Sequence, residues 1–561
     1  MSTEMPWYKW YPPEISPHCD YPEHNLAQFL INSAEKRPNY IAMYFMGKQI
    51  SYGELLEQSY KLAHALQGLG VHKGDRVALM LPNTPHAVVA YYGALMLGAI
   101  VVQTNPLYTE RELQLQLVDS GATVIITLDF LHKKVLAVQP HTSIKQIIVG
   151  SIKDYLPFPK NLLYPMVASK DGFDLAVNYS SEVIGYKKIL ASSSKQMICV
   201  EVDAKKDLAL LQYTGGTTGI SKGVMLTHYN LIANTIQNAN WCYNITPGNE
   251  RYLAALPFFH VFGMTVLMNL AILQGDSLIL LPKFEAQMVM KTISKMKATV
   301  FPGAPTMYIA LIHHPRIQEY DLSSIKVCVS GAAPLPREVQ EVFESLTGGK
   351  LIEGYGLTEA SPVTHANLVW GYRKIGTIGI PYPDTEAKIV HPETGVELPI
   401  GEIGELIVRG PQVMVGYWNR PQDTAATLRD GWLYTGDLGT MDNEGFFAIV
   451  DRKKDLIIAS GFNVYPREIE EVLYEHSAIQ EAVAVGVPDD YRGETVKAYI
   501  VLKAGSTVSQ EELNVWCRER LAAYKVPRLY EFRNTLPKSL VGKVLRRKLL
   551  EEEMERNKEI S

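Results

Sequence analysis

Residues 213–223 read YTGGTTGISKG. Glycines at 215, 216 and 219 let a backbone approach an anion and turn its N–H groups toward it. The hydroxyls of Thr214, Thr217 and Thr218 add donors or metal ligands, and Lys222 adds charge. Such a segment suits phosphate. It does not follow the GxxxxGK[ST] order, because Lys222 precedes Gly223. Taken alone, a glycine-rich run reads equally well as a flexible surface loop, so the rest of the chain has to decide.

The elements that would position this loop alternate in type. Ser51 and Glu54 have capping-box spacing ahead of a helix whose Leu55, Leu62, Leu66 and Leu69 share one face, and Gly70 ends it. An apolar strand at 77–81, a helix at about 86–97 and a strand at 99–103 follow. A helix at 110–118 and a strand at 123–127 continue the alternation, which predicts α/β layers with parallel sheets. Residues 151–195 hold several prolines and a serine run and read as irregular connection and surface helix. From about 380 to 450 short strands with turn signals predict a small β-rich subdomain. The charge cluster DRKKD at 451–455 then precedes a compact α+β pattern, with helices at 467–476 and 510–523 and strands at 481–487 and 497–503. The division expected is therefore 1–451 and 452–561.

The chain has 561 residues, 47% hydrophobic and 20% charged, ordinary for a globular protein able to bury a large core. Its net charge of −5 does not suggest a nucleic-acid partner, which usually needs a strongly basic face. Five scattered cysteines without a CxxC pair argue against a disulfide framework or a zinc site and for a reducing, cytoplasmic compartment. The first residues lack the basic and apolar regions of a signal peptide. The longest apolar run, 261–273, is too short to span a bilayer.

Further motifs decide the phosphate question. GAAPL at 331–335, GYGLTEAS at 354–361, YTGD at 434–437, DRKKDLIIASGFNVYPREIE at 451–470 and PKSLVGKVLRR at 537–547 follow the glycine-threonine loop in order. Together they resemble the motif series of the acyl-adenylate-forming (AMP-binding) enzymes, from about residue 25 to 550. Within that superfamily the chain is most like bacterial long-chain fatty acid–CoA ligases. The resemblance implies a large N-terminal domain of layered α/β sheets carrying the β-rich subdomain, plus a small mobile α+β C-terminal domain hinged at DRKKD, with Lys454 at the pivot.

It also implies the chemistry. A carboxylate attacks the α-phosphate of ATP, pyrophosphate leaves, and a thiol then displaces AMP from acyl-AMP. Bringing an anion onto a polyanion needs concentrated positive charge and oriented donors. By resemblance, Thr214, Gly215, Gly216, Thr217, Thr218, Gly219 and Lys222 hold the outer phosphates, and Glu359 with Thr214 takes Mg²⁺. Gly331, Ala332, Tyr355 and Gly356 form the adenine site, and Thr358 touches phosphate. Asp437 and Arg452 bind the ribose, Lys543 serves the α-phosphate and the attacking carboxylate, and Ser460 and Gly461 line the path of the coenzyme A thiol. Each has a bland alternative. Glu359 alone would be a capping residue, Tyr355 a core residue, Asp437 a turn residue, and Lys543 part of a solvated basic face with Arg546 and Arg547.

The acyl pocket of the resembled family forms after PFFH and near GAPT at 303–306. Here those stretches are nearly all apolar and include Met264, Met268 and Met307. No Asp stands near His260 to bind an amino-acid ammonium, and a charge-free pocket disfavours amino acids. A long fatty acid is expected, with His260 beside its carboxylate. An aryl acid is the alternative, and a non-catalytic acyl or adenylate sensor is a more distant one. Membrane contact at the inner face and a homodimer are left open, and no amphipathic anchor stands out.

Overall fold

In the computed structural model, residues 5–170, 172–214, 221–459, 462–489, 493–539 and 543–560 are described. The chain divides into two compact units, Met1–Glu386 with Arg409–Leu433, and Ala387–Val408 with Tyr434–Ser561.

Among the described residues, the first unit centres on an eight-stranded sheet. Its order is Gly416–Tyr417, Lys222–Thr227, Leu208–Thr214, Ile100–Gln103, Arg76–Met80, Val124–Leu128, Gln146–Gly150 and Val183–Gly185. Neighbours from Leu208–Thr214 onward run parallel. Parallel neighbours need helical crossovers and bury both faces, which is why these strands are largely apolar. Tyr52–Gly68 leads into the sheet, and Pro85–Met96, Glu110–Ser120 and His132–Val138 cross over between its parallel strands. Ser51 and Glu54 cap the first reciprocally, at 2.8 and 3.1 Å. Pro85–Met96 is buried at every position, as a helix apolar all round must be.

Two further sheets complete this unit. One runs Arg251–Ala254, Ser277–Leu280, Ile41–Phe45, Lys48–Ser51; the other Val327–Ser330, Lys350–Gly356, Val363–Ala366, Ile380–Pro381. Val300 bridges one to the other through Tyr252 and Val327. Residues 151–195 are more regular than the sequence predicts. Val183–Gly185 extends the large sheet, and helices form at Lys160–Lys170 and Tyr186–Ser192.

The second unit carries a sheet of Glu386–Val390, Gly404–Arg409, Trp432–Met441 and Phe447–Arg452, and another of Phe462–Val464, Ile457–Ala459, Gly493–Leu502 and Ile479–Asp489. Leu529–Phe532 joins the latter beside Gly493–Leu502. Pro466–Tyr474 and Gln510–Arg518 cover it, burying Ile469, Leu473, Leu513 and Cys517 on Ala484, Ala498 and Ile500. The second helix stops at Arg518, short of the expected 523. Compactness groups the β-rich strands with the C-terminal segment, whereas the sequence reading attached them to the N-terminal one. Among the described residues no helix is long and apolar enough to cross a membrane.

Candidate active site

Antiparallel pairing sets Thr214, the end of one strand, opposite Lys222, the start of the next. Ser221 Oγ donates to the Thr214 carbonyl at 2.6 Å, tying the two strand ends together. Gly215, Gly216, Thr217, Thr218 and Gly219 lie outside the described residues, as do Ser460 and Gly461. Lys222 Nζ stands 2.5 Å from Asp423 Oδ1 and 5.2 Å from the ring centre of Tyr417. Tyr417 Oη donates to Glu359 Oε1 at 2.7 Å. Burial, then the Glu359 carboxylate, pushes the Tyr417 phenol up, so it stays a neutral donor. Lys222, Tyr417 and Glu359 thus form one chain of interactions. Tyr417 and Asp423 escaped the sequence reading; the cue was the GYW triplet at 416–418, whose Trp418 N–H donates to the Gly223 carbonyl at 2.8 Å.

Glu359 follows Thr358 in a short turn, Thr358–Ala360, and its carbonyl accepts from Met414 N at 2.8 Å. The metal implied by the resemblance requires oxygen ligands. Glu359 and Thr214 offer a carboxylate and a hydroxyl. Among the described residues no group of three His, Cys, Asp or Glu could hold a metal by itself. That donor set fits Mg²⁺ arriving on nucleotide phosphates, since Mg²⁺ is commonly bound through one or two carboxylates plus phosphate and water.

Tyr355 lies opposite His365 across paired strands, with ring centres 5.9 Å apart. At Gly356 a Cβ would come within 2.0 Å of the Pro362 carbonyl oxygen, so only glycine fits. At Gly331 a Cβ would come within 2.9 Å of the Phe262 ring. Ala332 is exposed and holds a φ of +69°, a left-handed conformation that strains any residue with a Cβ. His260 caps the helical turn that starts at Val261, Nδ1 accepting from Phe262 N at 3.5 Å. Thr265 Oγ1 donates to the Ser361 carbonyl at 2.8 Å. The segment after His260 therefore packs on both Gly331 and Ser361, which brings PFFH, GAA and GYGLTEAS together. Its residues 261–270 are all buried and carry no charge, with Met264–Asn269 wound as a π-helix. Met307 is buried as well.

In the second unit Asp437 and Arg452 are direct strand partners, with Arg452 Nε 3.1 Å from Asp437 Oδ1. Asp437 has a side chain only 6% exposed. Lys543 shares their neighbourhood. Burial, then the Arg452 guanidinium, pushes its ammonium down to about 8, against the pull of Asp437. Lys454 is pushed down by burial and by Arg452 too. Three cations (Arg452, Lys454, Lys543) thus gather around two carboxylates, Asp437 and Asp455. Burial and the neighbouring cations together disfavour the charged form of both lysines there. Beside it, Arg546 pairs with Glu470 at 2.6 Å. Asp451 accepts from Arg452 N and Arg467 N, although burial pushes its carboxyl up to about 6.

The AMP-binding enzyme model matches residues 30–418, and the AMP-binding enzyme C-terminal domain model matches residues 468–543, ending on Lys543. The chain belongs to the AMP-binding enzyme family. The long-chain-fatty-acid–CoA ligase of Bacillus subtilis (strain 168) is 54% identical to it over 99% of each chain. The probable 4-coumarate–CoA ligase 1 of Dictyostelium discoideum is 32% identical, covering 95% of this chain and 96% of its own. ATP-bound MatB from Rhodopseudomonas palustris superposes with a TM-score of 0.83 at 30% identity, covering 94% of this chain and 98% of its own. The expected α/β fold with a small C-terminal domain agrees with that neighbour, and the expected enzyme class, an AMP-forming ligase, stands on the family membership.

Proposed function

We propose that this AMP-binding enzyme joins a long-chain fatty acid to coenzyme A. In the first half-reaction a carboxylate oxygen bonds to the α-phosphorus of ATP, the bridge to the β-phosphate breaks, and pyrophosphate leaves. In the second the coenzyme A sulfur bonds to the acyl carbon, its proton is lost, and AMP departs. The observation that carries this reading is the 54% identity, across 99% of both chains, with a long-chain-fatty-acid–CoA ligase.

The chain's own residues supply the parts. Lys222 and Thr214, with the loop 215–219, hold the outer phosphates. Phosphate would displace Asp423 from Lys222, and Tyr417 keeps Glu359 oriented. Glu359 and Thr214 hold Mg²⁺, which offsets phosphate charge when bound. Thr358 touches phosphate, while Gly331, Ala332, Tyr355 and Gly356 receive the adenine. Asp437 accepts from the ribose hydroxyls beside Arg452. Lys543 binds the α-phosphate and the incoming carboxylate, which makes it the anion-seeking member of its cluster. His260 stands beside that carboxylate, and Ser460 and Gly461 border the thiol path. Residues 452–561 turn as a body about 451–455, with Lys454 at the pivot, between the half-reactions.

The proposal includes a cytoplasmic protein that meets the inner membrane face peripherally, and a homodimer. Its partners are small molecules: fatty acid, ATP and coenzyme A. Incubation with ATP, Mg²⁺, coenzyme A and oleate should yield oleoyl-CoA, AMP and pyrophosphate in equal amounts. ADP and phosphate as products would overturn it. The Dictyostelium relative favours a second reading, an aryl-acid ligase; coumaroyl-CoA formed without any oleoyl-CoA would select that one.

A further inference from the structure

The helix Lys160–Lys170 is mounted the wrong way round for a water-facing element. Its inward positions are Asn161, Tyr164 and Ala168, at helical spacing. Ala168 is 3% exposed, and burial pushes the Tyr164 phenol up. Its outward face is Leu162, Leu163, Met166 and Val167, each between 52% and 66% exposed. Phe158, just before the helix, is 79% exposed, and Phe173, just after it, is also exposed while leaning on Phe130 with ring centres 5.2 Å apart. The turn Met46–Lys48 lies against the helix start, where Lys160 Nζ donates to the Met46 carbonyl at 2.9 Å, and Met46 adds another exposed apolar side chain. Contiguous apolar surface of this kind marks an interaction site, whereas scattered exposed leucines do not.

We propose that this face is where the enzyme docks on an anionic lipid surface, the helix lying in the plane of the headgroups. Charge names the occupant. Lys160 and Lys170 bracket the apolar stripe, Lys48 and Lys153 stand exposed nearby, and the helix itself contains no carboxylate. Of the described neighbouring acids, Asp129 is buried, Asp154 is turned into the protein against His86 at 3.2 Å, and Asp174 is engaged by Lys133, while Asp171, next after the helix in sequence, lies outside the described residues. An apolar stripe rimmed by lysines matches an acyl boundary beneath anionic headgroups. Lysine stems can lie along the apolar layer while their ammonium groups stay at its surface. The inference rests on the reading of the substrate as a long-chain acid, a molecule that resides in bilayers. Docking would let it be collected there.

The test is co-sedimentation of the full chain with vesicles of phosphatidylcholine alone or mixed with phosphatidylglycerol. The wild type should sediment with the mixed vesicles and not with phosphatidylcholine alone. Leu162→Ser, Leu163→Ser, Met166→Ser and Val167→Ser together should weaken that binding by about tenfold or more, with unchanged melting temperature and unchanged ATP–pyrophosphate exchange on a water-soluble medium-chain acid. Changing Lys48, Lys160 and Lys170 to Glu should abolish the preference for phosphatidylglycerol. Equal binding by wild type and serine variant, or none by the wild type, overturns the proposal. So does a wild-type dimer that the serine variant converts to monomer, because the face would then join two copies. Absent exchange with every acid, in wild type and variant alike, would sink the function reading and leave the vesicle result to judge the helix by itself.

Discussion

Tyr417 donates its phenolic hydrogen to Glu359 at 2.7 Å while its ring lies 5.2 Å from the Lys222 ammonium. One side chain therefore orients the carboxylate proposed to bind metal and supports the cation proposed to bind phosphate. Tyr417→Phe keeps the ring and removes the donor. A hydrogen bond to a charged group contributes about 1.5–3 kcal/mol, part of which water recovers. Tyr417→Phe should raise the Mg²⁺ concentration giving half-maximal pyrophosphate exchange by about fivefold, with little change in melting temperature. An unaltered Mg²⁺ dependence would remove Tyr417 from this role.

Lys543 is held at about 8 by burial and Arg452. Its pKa is lowered, so the ammonium is present below that pH and lost above it. The adenylation kcat/KM, which reports the free enzyme, should fall about tenfold per pH unit above roughly pH 8. Lys543→Arg, slower overall, should lack that limb because its guanidinium stays charged. Between about pH 8 and the ordinary lysine value near 10.4 the unfolded chain holds a proton the folded one has released, so this residue's contribution to stability rises with pH there. Lys543→Ala should cripple acyl-AMP formation more than thioester formation from supplied acyl-AMP. Equal loss of both half-reactions would contradict the assignment.

Asp437 is nearly buried and pairs with Arg452 at 3.1 Å. Asp437→Ala takes away the proposed ribose acceptor and leaves the cations around it less compensated. The apparent KM for ATP should rise about tenfold or more. Unchanged ATP saturation would place the ribose elsewhere.

Gly356→Ala would drive a Cβ to 2.0 Å from the Pro362 carbonyl oxygen. The nearest atoms, in Pro362 and Val363, are all backbone and leave nothing flexible to yield. Thermal unfolding should show a loss of at least about 2 kcal/mol, with exchange activity falling alongside. A variant as stable and active as wild type would contradict the packing described.

The alternation of helices and apolar strands was legible because local signals carry it: the reciprocal cap of Ser51 and Glu54, and strands buried on both faces such as Val124–Leu128. Asp437, Arg452 and Lys543 were legible only as matches to motifs, since nothing local says that the three share one charge cluster. Tyr417 was missed because its partnership with Glu359 depends on Gly416 and Tyr417 pairing with Met225 and Val224, strands far apart in sequence. The surface helix expected within 151–195 was legible as a type but not in place, because only the fold sets it at Lys160–Lys170 with Leu162 and Leu163 facing outward.

In the reaction proposed for this chain, a fatty carboxylate takes AMP from ATP. ATP–pyrophosphate exchange with Mg²⁺, measured across straight-chain acids from acetate to oleate and with coumarate and an amino acid, tests it most directly. Exchange should climb with chain length and be strongest for the long fatty acids, with Lys543→Ala abolishing it. Exchange confined to coumarate or the amino acid would contradict the substrate assigned here, and no exchange with any acid would contradict the adenylation itself.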